Sequence, residues 1–182
     1  LSKRTFMKII LSLAVALLSG CSAIGGTDSS QIYMRTPGFS ISLPEVMVKE
    51  ASFYSAGDMS ISVKMANGHT VFAQTITREL EGFDEYFNLQ DYPLYVFGIK
   101  DFSDLKGLDR ERFSGSYEIY KATYDLDAVS VLNVDGDNKI YSVCGLGECL
   151  GFLVDVQKPD YILMVNSSGL NEMQFRSIMK GI

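Results

Sequence analysis

Histidine is nearly missing from this chain, with one, His69, in 182 residues. A serine hydrolase needs a base within reach of its nucleophile and a zinc centre needs several nitrogen or sulfur ligands. His69 follows Asn67-Gly68, a dipeptide suited to a tight hairpin turn, so it reads as a solvent-facing loop residue rather than as a base. Ser114-Gly115-Ser116 is not the Gly-x-Ser-x-Gly elbow, and Gly145-Leu146-Gly147 lacks the lysine and hydroxyl residue of a phosphate loop. No catalytic residue, no metal ligand and no cofactor site is assigned. The longest apolar stretch, residues 9–18, is interrupted by Ser12 and falls short of the roughly 20 residues that a membrane-crossing helix needs. Internal repeats and low-complexity tracts are also missing.

Basic residues are scarce as well, sixteen against twenty-two acids. Three of the sixteen, Lys3, Arg4 and Lys8, lie in the first twenty residues, which hold no acid. The remainder carries 13 basic and 22 acidic residues, a formal charge of −9. That balance excludes a phosphate-tracking nucleic-acid surface and a polybasic grip on anionic lipid, and it suits a basic protein partner.

The amino-terminal residues have an order of their own. A positive stretch precedes the apolar segment, and Leu18-Ser19-Gly20-Cys21 follows it. Together they resemble the signal peptide and lipobox of bacterial lipoproteins. The resemblance covers residues 1–21 and implies cleavage after residue 20, diacylglycerol on the Cys21 thiol and a further acyl chain on the new amino terminus. Each buried methylene adds about 0.8 kcal/mol, and stable anchoring takes more than one chain. In such lipoproteins an aspartate after the cysteine retains the protein at the inner membrane. Here that position is Ser22, so the resemblance implies the outer membrane, periplasmic side. Residues 22–31 are small and polar and read as a flexible tether, giving a division of 1–20 signal peptide, 21–31 lipidated cysteine and tether, and 32–182 a single domain. Export sends the remaining pair, Cys144 and Cys149, to an oxidising compartment, where a disulfide is expected; their spacing is not that of a C-x-x-C redox pair.

The domain reads as α+β, mainly antiparallel sheet with a covering helix. Strands are expected over 39–43, 60–66, 70–77, 117–124, 129–134, 139–144, 149–156 and 161–166, with hairpin turns at Asn67-Gly68 and Asp135-Gly136. Asn171 and Gln174 form a capping-box variant, and Phe175, Ile178, Met179 and Ile182 make one apolar stripe on a terminal helix. Residues 79–113 read as helix and loop, with helical turns near 83–89 and 103–112. The opening Gly-Phe-Ser-Ile-Ser-Leu-Pro at 38–44, a strand-rich middle and the Phe-Arg-Ser-Ile-Met ending are similar to the Mog1/PsbP-like α+β fold.

Two patterns suggest chemistry. Carboxylate pairs drive glycosidic cleavage, and Asp125 with Asp127, or members of Glu79, Glu81, Asp84 and Glu85, would serve a cell-wall hydrolase; beside turns, such acids are more often solvated. Asn133-x-Asp135-x-Asp137 echoes a calcium loop, but the sixth position is Asn138 instead of glycine and the twelfth is Cys144 instead of glutamate. Asn166-Ser167-Ser168 matches a glycosylation sequon by chance. The leading expectation is a tethered, non-enzymatic protein-binding module. An immunity protein against a periplasmic toxin and an accessory subunit of an envelope or secretion assembly are its two forms, and exposed Tyr86, Phe87, Tyr92 and Tyr95 would form a contact surface.

Overall fold

Apolar residues alternate along most strands, but the central ones are apolar on both faces, which requires a cover on each side. A computed structural model describes residues 31–55 and 57–182. The expected signal peptide, Cys21 and residues 22–30 of the expected tether lie outside the described residues. Gln31, the last residue given to the tether, is instead the first of β1 and pairs with Pro44.

Strands β1 (Gln31–Thr36) and β2 (Phe39–Pro44) form a hairpin, followed by a single helical turn, α1 (Glu45–Val48). The main sheet holds β3 (Ser52–Ser55), β4 (Ser60–Lys64), β5 (Thr70–Ile76), β6 (Ser130–Asn133), β7 (Lys139–Gly145), β8 (Glu148–Val154) and β9 (Ile162–Ser168). Its order is β3-β4-β5-β9-β8-β7-β6, antiparallel throughout, so the last strand slots between the two halves of the chain. Between β5 and β6 come α2 (Arg78–Glu81), α3 (Tyr92–Val96) and α4 (Gly107–Thr123), and α5 (Glu172–Lys180) ends the chain. The expected α+β class, antiparallel sheet under a terminal helix, is what the structure has.

The pleat sorts β8 into two sets. Cys149 and Leu153 join the core under α5 and the β1–β2 hairpin, while Leu150, Phe152 and Val154 join the core under the segment between β5 and β6. Gly151 allows α5 to sit close, because a Cβ there would stand 3.1 Å from the Phe175 ring and 3.0 Å from the Met179 methyl. The capping box of α5 forms in both directions, with Gln174 N–H donating to the Asn171 side chain at 2.9 Å and Asn171 N–H to Gln174 at 3.1 Å. Phe175, Ile178 and Met179 are buried.

Residues 117–124 are not a strand but the second half of α4 and its cap. The segment carries two periods at once. Tyr117 and Ile119 alternate with Tyr120, as a strand would, yet Phe113, Tyr117, Tyr120 and Tyr124 are also spaced by four, three and four, a helical stripe. The helical period prevails because the aromatic segment before α4 presents a surface that only such a stripe matches: Phe113 and Tyr124 are buried, and Ile119 faces water at 68 % exposure. The helix expected near 83–89 also moves. Thr77 accepts from Leu80 N–H to start α2, and Gly82, in the left-handed region at φ 65°, stops it before residue 83.

The sheet is thus a middle layer. One side carries α5 and the hairpin. The other carries an aromatic layer in which Phe113 sits 5.1 to 5.4 Å, centroid to centroid, from Phe83, Phe87, Tyr92 and Tyr95, and Tyr92 and Phe97 stand edge-on to Phe152.

Candidate binding site

The expected residues are scattered by the fold. Asp125 accepts the Asp127 N–H at 3.2 Å to open a 3-10 turn at Leu126–Ala128, and both acids are exposed. Glu79 and Glu85 are exposed, and Asp84 is committed at one oxygen to the Tyr86 N–H at 3.0 Å. Glu81 differs, being half-buried against α4. Desolvation raises its carboxyl pKa, and the Arg112 guanidinium beside it works in the opposite direction. Arg112 itself donates to the carbonyls of Glu81 and Gly82. Burial, with the Glu81 charge adding to it, pushes the Tyr92 and Tyr120 phenols up.

His69 is half-buried in the β4–β5 turn, its backbone N–H donating to the Asn67 side-chain oxygen Oδ1 at 3.1 Å, and its ring lies over Gly169. Ser114, Gly115 and Ser116 lie within α4. Asn166 is held in the central strand β9, its amide donating to the Tyr124 hydroxyl at 3.2 Å, and Ser167 beside it is fully buried. Cys144 and Cys149 face each other across β7 and β8 and are joined, as expected, with an S–S distance of 2.04 Å. Leu146 stands at the tip of that closed hairpin, 91 % exposed.

Asn133 and Asp135, from the calcium-like motif, line a cavity of about 720 Å³ together with Asp155, Lys158 and Lys180. Lys158 occupies Asp155 at 2.7 Å. Burial would raise the Asp155 carboxyl, but hydrogen bonds from Lys158 and the Gln157 N–H, with the Lys158 charge, outweigh it and hold the pKa low. Among the described residues no three His, Cys, Asp or Glu side chains are grouped as metal ligands would be.

The expected aromatic contact surface needs correcting. Phe87, Tyr92 and Tyr95 are 6 %, 7 % and 3 % exposed, and only Tyr86, at 86 %, faces water. The three rings are core because they dock on Phe113 and Phe152, contacts made by distant parts of the chain.

Tyr86 stands at a second hollow, of about 460 Å³, that sequence reasoning missed. Short turns build it. Asn88 accepts the Gln90 N–H at 3.3 Å to set the turn Leu89–Asp91, which runs into α3 at Pro93. Asp101 accepts the Ser103 N–H at 2.7 Å to set Phe102–Asp104, and α4 then starts at Gly107. These turns bring Asp84, Asp91, Asp104 and Asp109 to one wall set, against Lys100 and Lys106. Lys100 is taken by Asp91 at 3.0 Å and lies 5.1 Å from the Tyr95 ring centroid. Tyr95 and Asp91 together raise its pKa, so it stays charged.

Asp109 is the unusual member. It is the third residue of α4 and only 8 % exposed, yet its carboxylate has no hydrogen bond or ion pair with any described side chain. A buried carboxylate normally finds a partner. The first turn of a long helix favours an anion there through its free N–H groups. The hollow therefore presents three carboxylates outside any ion pair, those of Asp84, Asp104 and Asp109, beside the side chain of Lys106 and an exposed tyrosine ring. It is suited to receive a cation.

No family model matches this chain, and no curated protein matches it either.

Proposed function

We propose that the protein is a lipid-anchored, periplasm-facing lipoprotein of the outer membrane whose folded domain binds a basic protein partner and performs no chemistry of its own. The single observation that carries the binding reading is the acidic hollow rimmed by Tyr86, with Asp109 buried on its wall and lacking a partner. The charge of −9 beyond residue 20 supports it, since a field of one sign steers an oppositely charged partner and speeds encounter. The anchor reading is supported by Cys21 at the end of a short apolar segment and by Ser22 after it. An immunity protein that blocks a periplasmic toxin, or an accessory subunit of an envelope or secretion assembly, are the two forms this takes.

A rival reading, a carboxylate-dependent hydrolase of cell-wall glycan, is favoured by one observation: burial raises the Glu81 carboxyl as an acid catalyst requires. Its neighbours Arg112, Tyr92 and Tyr120 do not include the second carboxylate that such a mechanism uses. Loss of peptidoglycan hydrolysis in Glu81→Gln would establish the rival.

Affinity capture from envelope extracts, read by mass spectrometry, tests the binding reading. Recovery of a basic envelope protein or toxin supports it, and recovery of none across low and physiological salt counts against it. For the anchor, Cys21→Ser is expected to move the protein from the membrane to the soluble fraction, and retention after cleavage contradicts lipidation.

A further inference from the structure

We propose that the hollow formed by Asp84, Tyr86, Asp91, Asp104 and Asp109 is a receptor for one arginine side chain of the basic partner. The inference deepens the binding-module reading and rests on it. Asp109 carries it furthest, being 8 % exposed on the wall of the hollow and in no ion pair with Lys100 or Lys106, the two cations that line it as well. A carboxylate with no internal partner, largely covered by protein and open to solvent only through the hollow, is free to take a charge-assisted hydrogen bond from an entering cation.

The chemistry of the walls selects guanidinium over ammonium. Asp91 already holds the protein's own ammonium, Lys100, at 3.0 Å, so the compact cation position is filled from within. What is left, beside the exposed Lys106, is a set of acceptors spread over Asp84, Asp104 and Asp109 and a tyrosine ring at 86 % exposure. A planar fork with five donors reaches acceptors at several angles and stacks on an aromatic face, which a point charge does less well. A volume of about 460 Å³ exceeds a single side chain, so the partner's adjoining backbone or water fills the rest. A metal ion suits the site less, since the described acids do not converge as ligands.

Binding of fluorescein-labelled hexa-arginine and hexa-lysine peptides to the full chain in detergent, followed by fluorescence anisotropy at 50 and 150 mM salt, tests the proposal. Hexa-arginine is expected to bind at least threefold tighter than hexa-lysine at the higher salt. Asp109→Asn is expected to weaken hexa-arginine binding at least tenfold, and Tyr86→Ala about threefold. Asp58→Asn, an exposed acid elsewhere, should bind as the parent does. Near-ultraviolet circular dichroism verifies folding, and Asp104→Asn replaces Asp109→Asn if the latter does not fold. Equal binding of the two peptides, or unchanged binding in both Asp109→Asn and Asp104→Asn, overturns the proposal. The binding-module reading fails separately. Selective hexa-arginine binding without any captured envelope protein would remove that reading, while capture of a partner indifferent to Asp109→Asn would remove the arginine site alone.

Discussion

Replacing Phe113 with alanine tests the aromatic layer at its centre. The ring is 2 % exposed and has four aromatic neighbours within 5.4 Å, one of them, Phe83, stacked at an interplanar angle of 7°. Deleting a buried phenylalanine costs about 3 to 5 kcal/mol through lost transfer energy and the cavity left behind. The high half of that range is expected, because the surrounding rings also pack on one another, Phe83 on Phe87 and Tyr92, Phe87 on Tyr95, and Tyr92 on Phe152, and the segment that carries them is pinned against α4 at Gly98. Gly98 is so close to α4 that a Cβ there would come within 2.4 Å of the Tyr117 ring. With a urea slope of about 2 kcal/mol per molar, the midpoint should fall by about 2 M, a large share of the 5 to 15 kcal/mol that holds an ordinary domain. Ile119→Ala on the same helix, at 68 % exposure, should change stability by less than about 0.5 kcal/mol. The pair also discriminates helix from strand: in a strand over 117–124, Ile119 would share a face with Tyr117 and its loss would be felt. A midpoint shift below about 0.5 M for Phe113→Ala, or a larger shift for Ile119→Ala, would refute the packing described.

Gly115→Ala lies inside α4 with nothing within 4 Å of the added Cβ, so it should stabilise by about 0.5 to 1 kcal/mol in the same urea assay, and a destabilisation would argue against the helix. The Cys144–Cys149 bridge closes a small loop, with a sequence separation of 5, and loop entropy gives about 2 kcal/mol; Cys144→Ala with Cys149→Ala should lose that amount and keep the far-ultraviolet spectrum. Glu81 has its folded pKa raised, so the charged form is disfavoured in the fold and costs stability once pH exceeds the unfolded value. Glu81→Gln should therefore melt higher than the parent at pH 7.5, with the gain gone at pH 3.5, where both forms are neutral. Asp155 behaves oppositely, since its depressed folded pKa contributes stability above the unfolded value that is lost as pH falls through the folded one. Asp155→Asn should lower the melting temperature at pH 7.5 and narrow the gap to the parent in acid.

The hairpins and the end of the chain were legible because their signals are local. Asn67-Gly68 and Asp135-Gly136 need no distant residue to make a turn, and Asn171 with Gln174 cap α5 across three residues. The alternation in β8 also stood out, although it did not say that both faces would be covered. Residues 117–124 satisfy strand and helix periods together, and only the docking of the helix, Phe113 on Phe83 and Phe87 and Tyr117 on Phe102, decides between them. The same docking buries Phe87, Tyr92 and Tyr95, which sit in a segment with no period to reveal an inner face. The hollow was illegible for a related reason. Asp84, Asp91, Asp104 and Asp109 come from successive short turns, and each looks like an ordinary turn or helix-start acid until those turns are folded against one another. The burial of Asp109, which distinguishes a wall residue from a solvated one, is a property of that folding alone.

Site-specific photocrosslinking in cells bears most directly on the proposal that a tethered domain grips a basic partner through the acidic hollow. A photoreactive residue at Tyr86, on the rim of the hollow, is compared with one at Met173, 76 % exposed on α5 on the other side of the sheet. A basic envelope protein or toxin crosslinked at position 86, not at 173, and lost on Asp109→Asn, is the predicted result. Crosslinks equal at the two positions, or none at 86 in cells that carry the anchored protein, would contradict it.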